Sequence, residues 1–176
     1  MIEIIEESGM NFIAENAFYI EKSPIYAALN KRTKQNEKGI SSVEFIRRKG
    51  GKLLFIEAKT TFPNPDNPPK ENPQRFAEAV AEICEKFIHS LNLYYAILAG
   101  VHSESQINNI NASDNLTIAF VLVIKVSQPD WCRIIETKIN ETLPIYIKKI
   151  WDPEVFVMNH EKAIGRNLAT QKKEKP

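Results

Sequence analysis

Two carboxylates and a lysine, Glu44, Glu57 and Lys59, fall where a β-hairpin would bring them together. Residues 42–48 and 52–60 are rich in β-forming types, and Gly50-Gly51 lies between them. That is the signature of a hairpin with a two-residue primed turn. With the glycines as the turn, Lys49 pairs with Lys52, Glu44 stands opposite Glu57, and Ser42 stands opposite Lys59. Side chains alternate along a strand, so Ser42, Glu44, Ile46, Phe55, Glu57 and Lys59 share one face. Directly opposed residues have Cβ atoms about 5 Å apart, and like charges so placed destabilise a sheet. The apolar neighbours Val43, Phe45, Phe55 and Ile56 make the setting half-buried, where the repulsion grows. Lys59 can neutralise one charge. A divalent cation between the carboxylates neutralises more, and hard oxygen ligands suit Mg²⁺. Two acidic ligands leave coordination positions open for water and a phosphate. The alternative for the same residues is a solvated strand end with an exposed ion pair, which contributes about 0–1 kcal/mol and needs no function.

The elements that would position these residues follow from periodicity and punctuation. Residues 12–14 and 17–20 read as short strands or one bent strand. Ser23-Pro24 supplies a hydroxyl cap and a proline for the first helical position, so a short helix spans 24–31. Asn72-Pro73 opens a second helix running to about residue 92, with Phe76, Val80, Ile83, Phe87 and Leu91 on one stripe. Residues 117–126 are apolar and rich in β-branched types, which suits a strand buried on both faces. A helix over 130–143 places Trp131, Ile134, Ile135 and Ile139 on one stripe and stops at Pro144. Residues 154–158 form a last strand, and Asn159 caps a final helix to about residue 169. The order β-α-β-β-α-β-α-β-α predicts an α/β domain with a mixed central sheet flanked by helices. It spans residues 1–170 as one unit, with 171–176 a charged flexible tail. The segment 62–73 holds five of the ten prolines and reads as a stiff, extended loop.

Leu54-Phe55-Ile56-Glu57-Ala58-Lys59, with Glu44 on the preceding strand, resembles the PD-(D/E)xK nuclease superfamily, whose fold is restriction-endonuclease-like. Glu57-Ala58-Lys59 at the end of an apolar strand is similar to that family's E-x-K, and Glu44 to its first acid. A helix and a further strand after E-x-K match the family's core order. The resemblance covers roughly residues 21–126. It implies a Mg²⁺- or Mn²⁺-dependent nuclease, with DNA the favoured substrate. Glu44, Glu57 and Lys59 would be catalytic, with Glu44 and Glu57 holding the metal, joined by the carbonyl of Ala58. The family's helical acid has its nearest match in Glu21, with Glu15 a weaker one. The sequence departs from the pattern in one respect: the first acid is Glu after Val43, where the family has aspartate after proline.

Beside the expected site, the loop over 31–40 carries Lys31, Arg32, Lys34 and Lys38 against the one acid Glu37. Such a loop could hold phosphates flanking a scissile bond, or it is simply solvated. Arg47, Arg48, Lys49 and Lys52 form a second basic group at the hairpin tip, either tracking a nucleic-acid backbone or guarding a sheet edge. Other chemistries lack their residues. His89, His102 and His160 have no metal-ligand spacing, the serines lack a nucleophile-elbow context, and six glycines build no phosphate loop. Cys84 and Cys132 are far apart and read as core residues of helices in a reducing, cytoplasmic setting.

Composition bounds the rest. The chain has 176 residues, 43% hydrophobic and 26% charged, which excludes wholesale disorder. A net charge of +1 provides no global attraction for nucleic acid, so any basic surface is local. The longest apolar stretch, 116–124, is about half a membrane span, so no membrane partner is expected. Modest size and near-neutral charge also suit a homodimer or the subunit of a larger defence or repair complex. The competing function is a non-catalytic α/β module that binds nucleic acid or protein.

Overall fold

The computed structural model describes residues 3–31, 38–66, 72–110 and 116–171. The chain opens with a hairpin of β1 (Ile4–Glu7) and β2 (Met10–Ile13), turned by Ser8 and Gly9. The two-residue strand β3 (Ala17–Phe18) follows, then helix α1 (Pro24–Asn30). The hydroxyl of Ser23 accepts the Tyr26 N–H at 3.2 Å and donates to the Ile20 carbonyl at 2.7 Å, so one side chain both caps α1 and pins the turn before it. Strands β4 (Phe45–Lys49) and β5 (Lys52–Lys59) form the next hairpin. Gly50 and Gly51 have φ of 54° and 73°, the two left-handed positions a primed turn requires. Lys49 pairs with Lys52 and Phe45 with Ile56. Then come helix α2 (Arg75–Leu98), a 3₁₀ turn at Ser105–Asn109 and strand β6 (Thr117–Ile124). Helices α3 (Pro129–Thr142) and α4 (Ile145–Trp151), strand β7 (Glu154–Asn159), helix α5 (His160–Gly165) and strand β8 (Ala169–Thr170) complete the order.

The protein is a mixed α/β structure. Its five-stranded sheet has the order β3-β4-β5-β6-β7, antiparallel from β3 to β5 and parallel from β5 to β7. Period-two alternation along β5 sends Leu53 and Phe55 to one face and Leu54, Ile56 and Ala58 to the other. The first face is covered by α2 and α3, through Val80, Ile83, Phe87 and Tyr94 of α2 and Ile135 and Ile139 of α3. The ring of Phe87 stacks on Phe120 of β6 with centroids 4.6 Å apart. The second face is covered by a small sheet, β1-β2-β8, and by α5, through Met10, Phe12, Ala163 and Leu168. Strand β6 is therefore buried on both sides from Ile118 onward.

Several elements differ from the sequence expectation. The N-terminal strands do not continue one another: β2 belongs to the small sheet and β3 to the large one. Helix α2 begins at Arg75 rather than residue 73 and runs six residues past Asn92, because Leu93, Tyr94 and Ile97 are buried by the same face. The buried stripe of α3 is Cys132, Ile135 and Ile139, while Ile134 is 40% exposed. The final helix stops at Gly165 instead of reaching 169. Leu168 and Ala169 are buried, and the chain there pairs with β2 instead of turning further as helix. Strand β1 and helix α4 had no reading in the sequence. Of the expected tail, residues 172–176 lie outside the described residues.

The stacked Phe87–Phe120 pair joins the helix that faces the site to the central strand. Phe87→Ala should cost about 3–5 kcal/mol of unfolding free energy in urea titration, with an unchanged slope. A loss below about 1 kcal/mol would show that this contact does not hold α2 to the sheet.

Candidate functional site

Glu57 is placed by strand alternation on the face that α2 covers, between an apolar strand and an apolar helix, and it is 0% exposed. An unpaired carboxylate there would cost several kcal/mol. Lys86 of α2 supplies the counter-ion, its Nζ donating to Glu57 Oε1 at 2.7 Å. Lys59, two residues along the strand, brings its Nζ to 3.3 Å from the same oxygen and to 3.3 Å from Glu82. The other oxygen, Oε2, is buried and accepts no hydrogen bond from the described residues. Burial pushes the Glu57 carboxyl above its ordinary range, against the opposing pull of Lys86 and Lys59. Burial draws the Lys86 ammonium down, but Glu57, Glu21 and Glu44 outweigh it and the net direction is up.

Glu44 lies one residue before β4, at a bend. Its N–H still donates to the Ile56 carbonyl at 3.1 Å, so the ladder of the hairpin reaches it. Beyond it the chain leaves the sheet. The Val43 N–H turns to Ser90 Oγ of α2 at 2.9 Å, and the Ser41 N–H donates to His89 Nδ1 at 3.1 Å. The expected pairing of Ser42 with Lys59 therefore does not form, because two polar groups of α2 capture the strand's approach. The bend also leaves the Ala58 carbonyl with no β4 partner. Ser8 Oγ donates to it at 3.0 Å.

The Glu44 carboxyl is half-buried and shares a hydrogen bond with Glu21. Burial, that hydrogen bond, and the charges of Glu57, Glu21 and Glu7 push Glu44 up to about 8. Glu21 reaches this position from the turn before α1 that Ser23 pins. Glu44, Glu57, Lys59 and Glu21 thus stand in one group, while Glu15, the weaker match, acts on Arg47 instead.

The basic loop is only partly described: Arg32 and Lys34 lie outside the described residues. Lys31 is exposed, and Lys38 makes an ion pair with Glu85 of α2. The cations at the hairpin tip are engaged within the fold. Arg47 donates to the Asn167 carbonyl at 3.4 Å, Lys49 to the carbonyls of Arg166 and Asn167, and Lys52 to Glu154. Arg47 and Lys49 fasten the sheet to the turn after α5, and Lys52 ties β5 to the start of β7.

Sequence reasoning missed Lys86. Its signal is a lysine between Ile83 and Ser90 on the stripe that buries α2, where a charged residue needs a reason. It also missed Glu7, whose carboxylate pairs with Lys22 and acts on Glu44. No local signal marks Glu7, because only the β1–β2 turn brings it here. Among the described residues, no three His, Cys, Asp or Glu side chains are spaced to hold a metal ion as they stand. Nor is any helix long and apolar enough to cross a membrane. No protein-family model, curated protein or solved structure matches the chain.

The Glu44 shift has a measurable sign. In the unfolded chain its carboxyl titrates near 4.5, and in the fold at about 8. Between those values the native state holds more protons. Stability that is complete below about pH 4.5 is therefore lost as pH rises through about 8. The groups facing Glu44 are Glu21, Glu57, Glu7, Lys22 and Lys86. Melting temperature in chelator should fall between pH 5 and pH 9, and Glu44→Gln should flatten that slope. An unchanged slope in the variant would remove Glu44 as its source.

Proposed function

We infer that the protein is a divalent-metal-dependent nuclease of the PD-(D/E)xK type, with a restriction-endonuclease-like arrangement of its central strands. The observation that carries the reading is Glu57: a fully buried carboxylate with two lysines on one oxygen and nothing on the other, beside a second carboxyl at Glu44. A buried oxygen without a hydrogen-bond partner among the described residues, near a carboxyl raised by burial and by neighbouring acids, suits a cation. Glu57 Oε2 and Glu44 would hold it, and the carbonyl of Ala58 keeps a second lone pair beside the one Ser8 occupies. A bound Mg²⁺ or Mn²⁺ supplies Lewis-acid polarisation of a phosphate and a more acidic water.

The chain's own residues do the remainder. Lys86 holds Glu57 in place and offsets its charge. Lys59 has three N–H groups, of which Glu57 and Glu82 engage two, so one remains for a phosphate oxygen or an attacking water. A cavity of about 290 Å³ opens beside Lys59, lined in part by Phe62 and Arg75, with room for a substrate group next to the scissile bond. Lys31 and Lys38, with Arg32 and Lys34, are the candidates to meet flanking phosphates. DNA is the favoured substrate on the resemblance alone.

A second reading rests on a specific observation. Lys86 and Lys59 already balance Glu57, so the same cluster serves a module that binds nucleic acid or protein without cutting.

The deciding experiment incubates the protein with Mn²⁺ and a panel of supercoiled plasmid, single-stranded DNA and structured RNA. The wild-type chain should cut at least one substrate. Lys59→Ala should lower the rate about 10²–10³-fold, and Lys86→Met should weaken Mn²⁺ binding about 10–100-fold. Saturating Mn²⁺ at 100 times its dissociation constant adds about 2.7 kcal/mol of stability. No cleavage and no Mn²⁺-dependent rise in melting temperature would establish the binding module instead.

A further inference from the structure

Strands β5, β6 and β7 run parallel, so their carboxyl ends finish on one rim of the sheet. The chain leaves that rim in two directions. From β6 it passes to α3, which packs on the first face through Cys132, Ile135 and Ile139. From β7 it passes to α5, which packs on the second face through Ala163. Neighbouring strands whose connections part to opposite faces leave a crevice beyond their carboxyl ends, and open α/β sheets bind ligands in such crevices. Here the crevice is a cavity of about 650 Å³ between the starts of α3 and α5, at the end of β7. Small-molecule sites span about 300–1,000 Å³, so it has room for far more than an inorganic ion.

Bonds within the fold shape this cavity before any ligand arrives. The Glu136 carboxylate accepts the Val157 N–H at 2.9 Å, which occupies the outer edge of β7 at that point. The Asn159 side chain accepts the Lys162 N–H at 3.0 Å and fixes the entry to α5. Val157, Met158 and Cys132 are buried and supply an apolar wall. Charged side chains stand around the mouth: Arg133 from α3, and Glu161 and Lys162 from α5. Glu161 and Lys162 make no ion pair among the described residues. Arg133 pairs with Asp130, three residues back on its own helix. Those two side chains are 78% and 81% exposed, so a ligand can take over the guanidinium at little cost.

These groups have a joint chemical meaning. A guanidinium fork matches phosphate oxygens, and an ammonium on the opposite wall adds a point charge. An uncommitted carboxylate beside them accepts from sugar hydroxyls, the role acidic residues take in nucleotide-binding α/β folds. The apolar wall suits a ring. We propose that the crevice binds a nucleoside monophosphate, with Arg133 and Lys162 on the phosphate, Glu161 on the ribose hydroxyls, and Val157 and Met158 against the base. The crevice is distinct from the Glu57 cluster. Lys59 is in register with Ile124 and Ile124 with Asn159, so two strand spacings, about 10 Å, separate them along the rim. The proposal stands whether or not the protein cuts nucleic acid.

Titration calorimetry with AMP tests it, on the full chain in chelator. AMP should bind with a Kd below about 1 mM. Lys162→Met and Arg133→Met should each weaken binding about tenfold, the worth of one hydrogen bond to a charged group. Adenosine, which lacks the phosphate, and ribose 5-phosphate, which lacks the base, should each bind at least about tenfold more weakly than AMP. Lys59→Ala should leave the AMP affinity unchanged. Melting curves confirm that the variants fold, as expected at exposed positions. Absence of AMP binding overturns the proposal. So does equal affinity in wild type and the Arg133→Met/Lys162→Met double variant, or adenosine binding as tightly as AMP. Binding that is lost in Lys59→Ala and kept in the double variant overturns it too, and moves the nucleotide to the Glu57 cluster.

Discussion

Glu57 is fully enclosed between the central sheet and α2, and enclosing a carboxylate costs several kcal/mol unless partners replace its water. Lys86 does so at the expense of placing a second charged side chain on a helix stripe that is otherwise apolar. A leucine and a methionine in those two places would pack as well and carry no such penalty. Keeping the pair, and leaving one carboxylate oxygen unbonded, sets this part of the core apart from the aromatic packing of Phe55, Phe87 and Phe120 beside it.

The neighbouring architecture follows from where that charge sits. Glu57 lies near the end of β5, where the parallel strands finish and β4 bends away. The bend is made by α2, whose Ser90 and His89 take the N–H groups of Val43 and Ser41. It exposes the Ala58 carbonyl, which the N-terminal hairpin then covers through Ser8. The same hairpin, stitched to the C-terminal strand β8, closes the second face of the sheet. One small sheet thus does two things: it buries Phe12 and Met10, and it delivers Glu7 to the acid group. Ser8, held at φ 52°, joins this hairpin to the end of β5 through its hydroxyl on the Ala58 carbonyl.

Electrostatically the group sets several carboxyls against three lysines. Burial and its acidic neighbours hold the Glu44 carboxyl up at about 8. Two lysines hold Glu57, a third holds Glu7, and the shared hydrogen bond between Glu44 and Glu21 lies between them. Under the proposed function, pH and a divalent metal would act on the same carboxyls.

Much of this was legible in the sequence where the governing interactions are local. Two glycines select a primed turn, and the turn's register alone sets Lys49 against Lys52 and Phe45 against Ile56. Ser23-Pro24 announces α1, and the stripe from Val80 to Leu91 announces the helix that covers the site. Tertiary structure decided what no spacing encodes. Lys86 lies 29 residues from Glu57, and its place in the site follows only from α2 packing on β5. Glu7 and Lys22 meet because one hairpin folds over the end of another, and Gly165 ends a helix because Ala169 has a strand to join. A backbone turn is determined by the residues within it. The partner of a buried charge is determined by whichever distant side chain the packed core leaves beside it.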